Sequence, residues 1–270
     1  MSVEAVASKI VRLYYGARAS EPTWLASGAW SHAFALTVDD AALILRIGKH
    51  GSDFAKDAAV ARLAGPNLRV PAVLAVGEAD DWHYAVSPRA QGTALDDLSG
   101  HDVALVLPSL LTALDGIADL SLGETVGYGN WAPDGRAPYL AAIAALAQYL
   151  PDERRMIHGD LLSRNVLVAE SSVTAVLDWG NAMYGDSLYD AAWLIYWWPW
   201  YPQWSAVDIT SELFAHWTAR GTLPTDARER LHAYRVHIGL DAIAYCAFRD
   251  RWDEVRANVD TVLNLTKRWQ

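Results

Sequence analysis

The hydrophobic patterning predicts an α+β chain of two lobes, a small strand-rich front over residues 1–92 and a larger helical back over residues 93–270. Three observations carry that prediction. Short apolar runs with strand character crowd the first ninety residues, helical spacing takes over after Gln91-Gly92, and one β-hairpin pattern interrupts the helical part near residue 170. With 270 residues and 52% hydrophobic content, the chain can bury a substantial core as one large domain or two smaller ones.

In chain order, Val6 to Tyr15 has helical spacing. Ala33–Val38 and Ala42–Ile47 read as strands joined by a turn at Asp39-Asp40, and Phe54–Leu63 returns to helical spacing. Val70–Val76 and His83–Val86 supply two more strands. Helices are expected over Leu105–Leu120, Pro138–Leu150, Asp190–Trp198, Ile209–Thr218, Arg228–Ala247 and Trp252–Leu265. The join between the lobes falls near Ser87 to Gly92, and a cleft there is the expected place for a ligand. No internal repeat or low-complexity linker is visible.

The hairpin pattern brackets the most informative residues. His158-Gly159-Asp160 is followed by Asn165, and Asp178-Trp179-Gly180 begins thirteen residues after that Asn. Val166–Val168 and Val173–Leu177 are β-branched and aliphatic, with a polar turn between them. Pairing about Ser171-Ser172 sets Asn165 opposite Asp178, with Cβ atoms roughly 5 Å apart. An amide oxygen and a carboxylate at the mouth of a hairpin suit Mg²⁺, which takes hard oxygen ligands from one or two protein groups and from substrate phosphates. Asp160 then stands where a phosphoryl-transfer enzyme needs a group to accept the proton of an attacking hydroxyl. The alternative is that Asp160 and Asp178 only cap turns; the coincidence of several spacings argues against it.

The nucleotide phosphates need further partners, and the front lobe offers them. Ser27 and Gly28 lie in a small-residue turn before a strand, where backbone N–H groups can approach phosphates, a plain β-turn being the other reading. Arg46 interrupts an apolar strand, so its charge needs a partner, and Asp57 in the following helix is the natural one. An edge-strand arginine reaching for water is the alternative.

Composition narrows the field. A formal net charge of −10, from 32 acidic and 22 basic residues, argues against an extended nucleic-acid surface, and no Lys/Arg cluster offsets it. An acidic surface can attract a cationic substrate. The acidic N-terminus lacks the basic start and apolar run of a secretory signal, and Ala191–Trp200, read as the longest apolar stretch, is too short to span a bilayer; a cytoplasmic protein with no membrane partner is expected. The single cysteine, Cys246, fits that placement as a buried structural thiol. Thirteen tryptophans, several clustered between Trp193 and Trp200, belong mostly to the core, with one or two free to form a flat wall for a ring-shaped ligand.

Taken together, these residues resemble the aminoglycoside phosphotransferase superfamily of protein-kinase-like small-molecule kinases, and within it the hygromycin B phosphotransferases. The resemblance extends from about Leu25 to about Val262 and includes Ser87–Gly92, Val176–Trp179, Ala182–Ser187, Tyr196–Trp200 and Arg235–Asp241. It implies a bilobal protein-kinase-like fold, with Asp160 as base, Asn165 and Asp178 as Mg²⁺ ligands, and Arg46 with Asp57 at the phosphates of ATP, GTP being the alternative nucleotide. The backbone near Ser87 to Arg89 would hold adenine, and His158 would brace the loop. Asp186 and Asp190 are expected to be scaffold and helix-capping carboxylates. Gly159 stands where many protein kinases carry an arginine that reads phosphorylation, which implies a constitutive enzyme.

The implied acceptor is a cationic aminocyclitol such as hygromycin B, contacted by Asn181, Trp198, Trp200 and Asp241, with no obligate protein partner. The chain departs from the family in carrying Arg46 and Asp57 for the commoner Lys and Glu, Asn181 for an acid, and a shorter stretch between Gly127 and His158. A macrolide, a cyclic peptide antibiotic or a metabolite alcohol is the alternative acceptor. Two other classes are weaker: a silent kinase-fold binding protein would usually lose one of Asp160, Asn165 and Asp178, and a metallohydrolase would need further ligands.

Overall fold

The computed structural model describes residues 2–120 and 154–267; the helix expected over residues 138–150 lies outside them. Helix α1 (Val3–Tyr14) buries Val6, Ala7, Ile10 and Val11, one face at helical spacing. That face belongs to the same hydrophobic cluster as Phe34, Leu36, Leu45, Ile47 and Tyr84 of an antiparallel sheet. The sheet comprises β1 (Thr23–Ser27), β2 (Ser31–Val38), β3 (Ala41–Gly48), β4 (Ala75–Ala79) and β5 (Trp82–Pro88), in the order β1-β2-β3-β5-β4. Asp39 and Asp40 turn β2 into β3 with φ of 47° and 68°, a left-handed pair that fits a two-residue hairpin.

Two expectations for this sheet change. The strand expected over Val70–Val76 begins only at Ala75 and runs to Ala79, where Asp80, at φ 54°, turns the chain into β5. Pro71 has no N–H to give a ladder, which keeps the preceding residues out of it. The alternative of an edge-strand arginine fails, because β3 lies between β2 and β5. Arg46 pairs with Ala33 on one side and Ala85 on the other, and these small neighbours leave room for its side chain.

Helix α2 (Gly51–Leu63) follows β3 directly and presents Asp57 to Arg46. Its Val60 joins the larger core cluster, which otherwise consists mostly of residues after Leu95. That part holds β6 (Thr93–Ala94), α3 (Gly100–Ala118), β7 (Arg155–Ile157), β8 (Val166–Ala169), β9 (Ser172–Val176) and β10 (Met183–Gly185). Helices α4 (Leu188–Trp197), α5 (Ile209–Arg220), α6 (Ala227–Phe248) and α7 (Trp252–Lys267) complete it. α3 is the one described helix long and apolar enough to cross a membrane, which displaces Ala191–Trp200 as the longest apolar element. Its Val103, Leu107, Leu110, Leu114 and Ile117 are spent on the core.

The hairpin differs in detail from its expected form. The turn falls at Glu170-Ser171, both left-handed, and the ladder slips by one residue between Leu167 and Val168. Val166 therefore faces Val176, and the Leu177 N–H donates to the Asn165 carbonyl at 2.8 Å. Asn165 stands opposite Leu177, one residue short of Asp178. Three ties hold the hairpin in place: Val173 N–H to Ser109 Oγ at 2.9 Å, Thr174 Oγ1 to the Gln91 carbonyl at 2.6 Å, and Val176 N–H to the Arg69 carbonyl at 2.8 Å.

Two features fix the helical part and the loop after β7. Arg230 on α6 clasps Asp186 through Nε at 2.8 Å and Nη2 at 2.5 Å, while Asp186 Oδ1 also accepts the Leu188 N–H at 3.0 Å. A buried carboxylate just ahead of the N-cap thus satisfies the first N–H of α4 and fastens the helix to α6. Gly159 sits at φ 78°, and a Cβ there would stand 2.9 Å from the Asn181 carbonyl, so both backbone conformation and space demand glycine.

Arg230→Ala should lower unfolding free energy by about 3–5 kcal/mol in urea titrations, since it strands Asp186 in the core; a loss under 1 kcal/mol would show that the pair holds little. Gly159→Ala should destabilise by about 1–3 kcal/mol or more, from left-handed strain with the added contact to Asn181; unchanged denaturation midpoints would contradict the crowding.

Candidate active site

Short strands β7 and β10 pair with Ile157 opposite Met183, and the loop from His158 to Asn165 leaves from that pairing. Its first two N–H groups are captured by one carboxylate: Asp190 Oδ2 accepts from His158 at 2.7 Å and Oδ1 from Gly159 at 2.8 Å. Asp190 is 1% exposed, and burial raises its carboxyl to about 6. It is a scaffold group, as is Asp186.

His158 is fully buried, and burial pulls its imidazole down to about 4, so it is neutral at pH 7. Nε2 lies 2.9 Å from the Leu177 carbonyl and Nδ1 lies 3.2 Å from the Asp160 N–H. Both contacts are satisfied if Nε2 carries the proton and Nδ1 accepts. The ring thus joins the loop at Asp160 to the strand end beside Asp178.

Asp160 is half-buried, and burial, followed by the nearby charge of Asp178, pushes its carboxyl up to about 7. Asn165 Nδ2 donates to the Asp160 carbonyl at 3.0 Å and to its Oδ2 at 3.1 Å, which leaves the Asn165 Oδ1 as an acceptor for a cation. Asp178 stands at φ 59° and ψ 70°, a left-handed setting that ends the strand and turns the chain into a 3-10 turn over Trp179–Asn181.

Arg46 reaches this turn from β3. Its Nη1 is 2.5 Å from Asp57 Oδ2 and its Nη2 is 3.0 Å from Asp178 Oδ1, while Asp57 Oδ1 accepts the Trp179 N–H at 2.9 Å. Burial disfavours the guanidinium charge, but Asp57 and Asp178 more than restore it. Sequence reasoning missed two neighbours on α2. Lys56 donates to the Gly180 carbonyl at 2.6 Å, and a Cβ at Gly180 would stand 3.2 Å from Asp53 Cγ. Asp53, one helical turn before Asp57, carried a signal in its spacing, whereas Lys56 had only its adjacency to Asp57.

The remaining expected residues divide. Ser27 and Gly28 lie exposed where β1 turns into β2; Ser27 Oγ is 2.9 Å from His32 Nδ1, and the Gly28 N–H donates to Ser31 at 2.9 Å. The turn leaves Gly28 open, with only Ser31 O at 3.7 Å from an added Cβ. At the expected adenine edge, the Arg89 N–H is spent on the Ala42 carbonyl at 2.9 Å, and Ser87 pairs with Ile44 in the same β3 ladder. By strand alternation the outward group there is the Pro88 carbonyl. Pro88 lies within the stretch expected to hold adenine.

Trp198 is a correction. It is 4% exposed, its Nε1 donates to the Val207 carbonyl at 3.1 Å, and its ring packs 4.6 Å from Trp204, so it is core. The aromatic face is instead built by Tyr189, Trp193 and Trp197 on α4, with Trp200 packing 5.4 Å from Trp197. Tyr234 and His237 of α6 meet Tyr189. Asp241, one turn beyond His237, is lifted to about 6 by burial, and both Asp241 and Asp160 act electrostatically on Tyr189. Asn181 sits half-buried with its backbone against Gly159.

The chemistry of the site is a neutral bracing imidazole, a carboxylate tuned near neutrality, two oxygen donors at the mouth of a hairpin and an arginine anchored between lobes. Comparison with known proteins agrees with it. Residues 128–234 match the family described as phosphotransferase enzyme family. Hygromycin-B 4-O-kinase of Escherichia coli is 32% identical over 254 residues, covering 81% of this chain and 72% of that protein. A thermostable mutant of aminoglycoside phosphotransferase APH(4)-Ia, solved as a ternary complex with AMP-PNP and hygromycin B, superposes with a TM-score of 0.78 at 27% identity, covering 96% of this chain and 97% of the other. The GDP complex of aminoglycoside 2'-phosphotransferase-IIIa shares the fold, with a TM-score of 0.69 at 14% identity over the full length of both chains. The strand-rich front and helical back are those of kinase-like phosphotransferases, and the chain belongs to the aminoglycoside phosphotransferase family.

Proposed function

We propose that the protein is an ATP- and Mg²⁺-dependent O-phosphotransferase that modifies a hydroxyl of an aminocyclitol antibiotic, hygromycin B foremost, and so protects a cell from it. The observation that carries this reading is the approach of Asp160, Asn165 and Asp178 around one hairpin mouth, with Arg46 held at the same place. The donor set is hard oxygen, which fits Mg²⁺. Among the described residues no His/Cys/Asp/Glu cluster offers a transition-metal site instead. Asn165 and Asp178 would hold the ion, which supplies charge neutralisation at the phosphates.

In this reading residues 1–92 bind the nucleotide, with Arg46 at the phosphates and the Pro88 carbonyl at the adenine edge. Residues 93–270 carry the loop and the acceptor. Asp160 accepts the proton of the acceptor hydroxyl as its oxygen bonds to the γ-phosphorus and ADP leaves with the broken P–O bond. Its raised pKa keeps it a useful base near neutral pH, and the Asn165 amide fixes its orientation. The sugar rings stack on the Tyr189–Trp193–Trp197 face, and Asp241 meets an ammonium group of the acceptor. The acidic surface draws a cationic acceptor rather than nucleic acid, and we place the reaction in the cytoplasm, where ATP is available.

The direct test is ADP release and ³¹P NMR of the product with ATP, Mg²⁺ and hygromycin B; no turnover of this or any other aminocyclitol would reject the acceptor assignment. Asp160→Ala should lower kcat by about 10²–10⁴-fold while nucleotide binding persists; near-normal turnover would remove Asp160 from its role. Only the ionised carboxylate accepts a proton. Burial holds the Asp160 carboxyl above its ordinary value even where an ion on Asp178 relieves that neighbour's repulsion, so the acid limb of kcat/KM should fall about tenfold per pH unit below this raised pKa. A flat profile down to pH 5 would contradict the assignment.

A further inference from the structure

Arg46 is a side chain shared between two acids on different elements. Its fork gives Nη1 to Asp57 Oδ2 at 2.5 Å and Nη2 to Asp178 Oδ1 at 3.0 Å. The three are graded in exposure, Asp57 at 9%, Arg46 at 20% and Asp178 at 50%, so the solvent-facing end of the chain of contacts is Asp178. The inner end is rigid, because Asp57 also accepts the Trp179 N–H at 2.9 Å. Ala33 and Ala85 on the adjoining strands leave the guanidinium its lane. A lysine ammonium is a compact point charge and cannot hold both acids with the same planar fork.

One oxygen of Asp178 is therefore already engaged by a cation that the protein itself supplies. We propose that Arg46 is a positioning residue that competes with the divalent ion for Asp178, steadying the carboxylate in its left-handed backbone setting and weakening ion binding by itself. Phosphates that take the guanidinium release Asp178, so nucleotide and ion bind as a coupled pair. The inference rests on the reading of Asp178 as an ion ligand.

The test measures Mn²⁺ binding without nucleotide, from the EPR signal of the free ion, on the full chain and on Arg46→Lys and Asp178→Asn. Mn²⁺ shares the oxygen preference of Mg²⁺. Competition predicts that Arg46→Lys, which keeps the net charge, binds Mn²⁺ about fivefold or more tightly than the unaltered protein, within the usual range of site-to-site coupling, and that Asp178→Asn loses the site. A purely structural arginine would not tighten ion binding. Equal affinity in Arg46→Lys, with binding lost in Asp178→Asn, overturns the competition and leaves the ion site standing. Binding untouched by Asp178→Asn overturns the site and the competition with it. A second measurement needs no variant: the ¹⁵N side-chain signal of Arg46 should move on Mg²⁺ titration of the unaltered protein and saturate. A signal that stays fixed at saturating Mg²⁺ also overturns the competition.

Discussion

The structure depends on the carboxylate of Asp57. Its side chain is 9% exposed, and its two oxygens take different partners, a guanidinium from the front sheet and a backbone N–H from the turn after Asp178. Removing a charged oxygen from water is costly unless it is paired and hydrogen-bonded, and here each oxygen has such a donor. The one group therefore joins β3, α2 and the turn that follows the hairpin. Lys56, the residue before it, ties α2 to the same turn through Gly180.

The acids of the site divide by what their oxygens accept. Asp186 and Asp190 are buried, and both oxygens of each take N–H donors, so they hold backbone and helices in place. Asp160 receives one amide contact to Oδ2, and Asp178 one guanidinium contact to Oδ1. Those two retain lone pairs for something other than the chain. This division explains how a cluster of carboxylates is stable: the scaffold acids are satisfied by local donors, while burial, and after it the charge of Asp178, raises Asp160 towards neutrality.

Much of this was legible in the sequence because local spacing and chemistry coincide. The Asp39-Asp40 turn, the Arg46–Asp57 pairing and the helical succession all follow from short-range pattern. The failures have specific causes. Residues 70–74 look like a strand by composition, but Pro71 removes a donor, and the Asp80 turn places β4 later. Strands β7 and β10 have three residues each, too few for a periodic signal. Trp198 and Trp197 are adjacent in sequence yet face opposite ways, one to the core around Trp204 and one to Trp193 and Trp200. The chain after α4, which sets Trp204 and the Val207 carbonyl against Trp198, decides which indole is core. The one-residue slip in the hairpin was invisible, since a bulge leaves no mark in a run of Val, Thr and Ala.

That slip divides the hairpin. The Glu170-Ser171 tip lies on one side of it, and the Asn165–Leu177 link with the Val176–Arg69 tie lies on the other. Residues gained or lost at the tip leave the far end of the ladder anchored, whereas a change between the slip and Asp178 would alter the phase of Asp178 against Asn165. The apex is thus the part of the hairpin that tolerates a change of length, and the spacing beyond the slip is held by geometry.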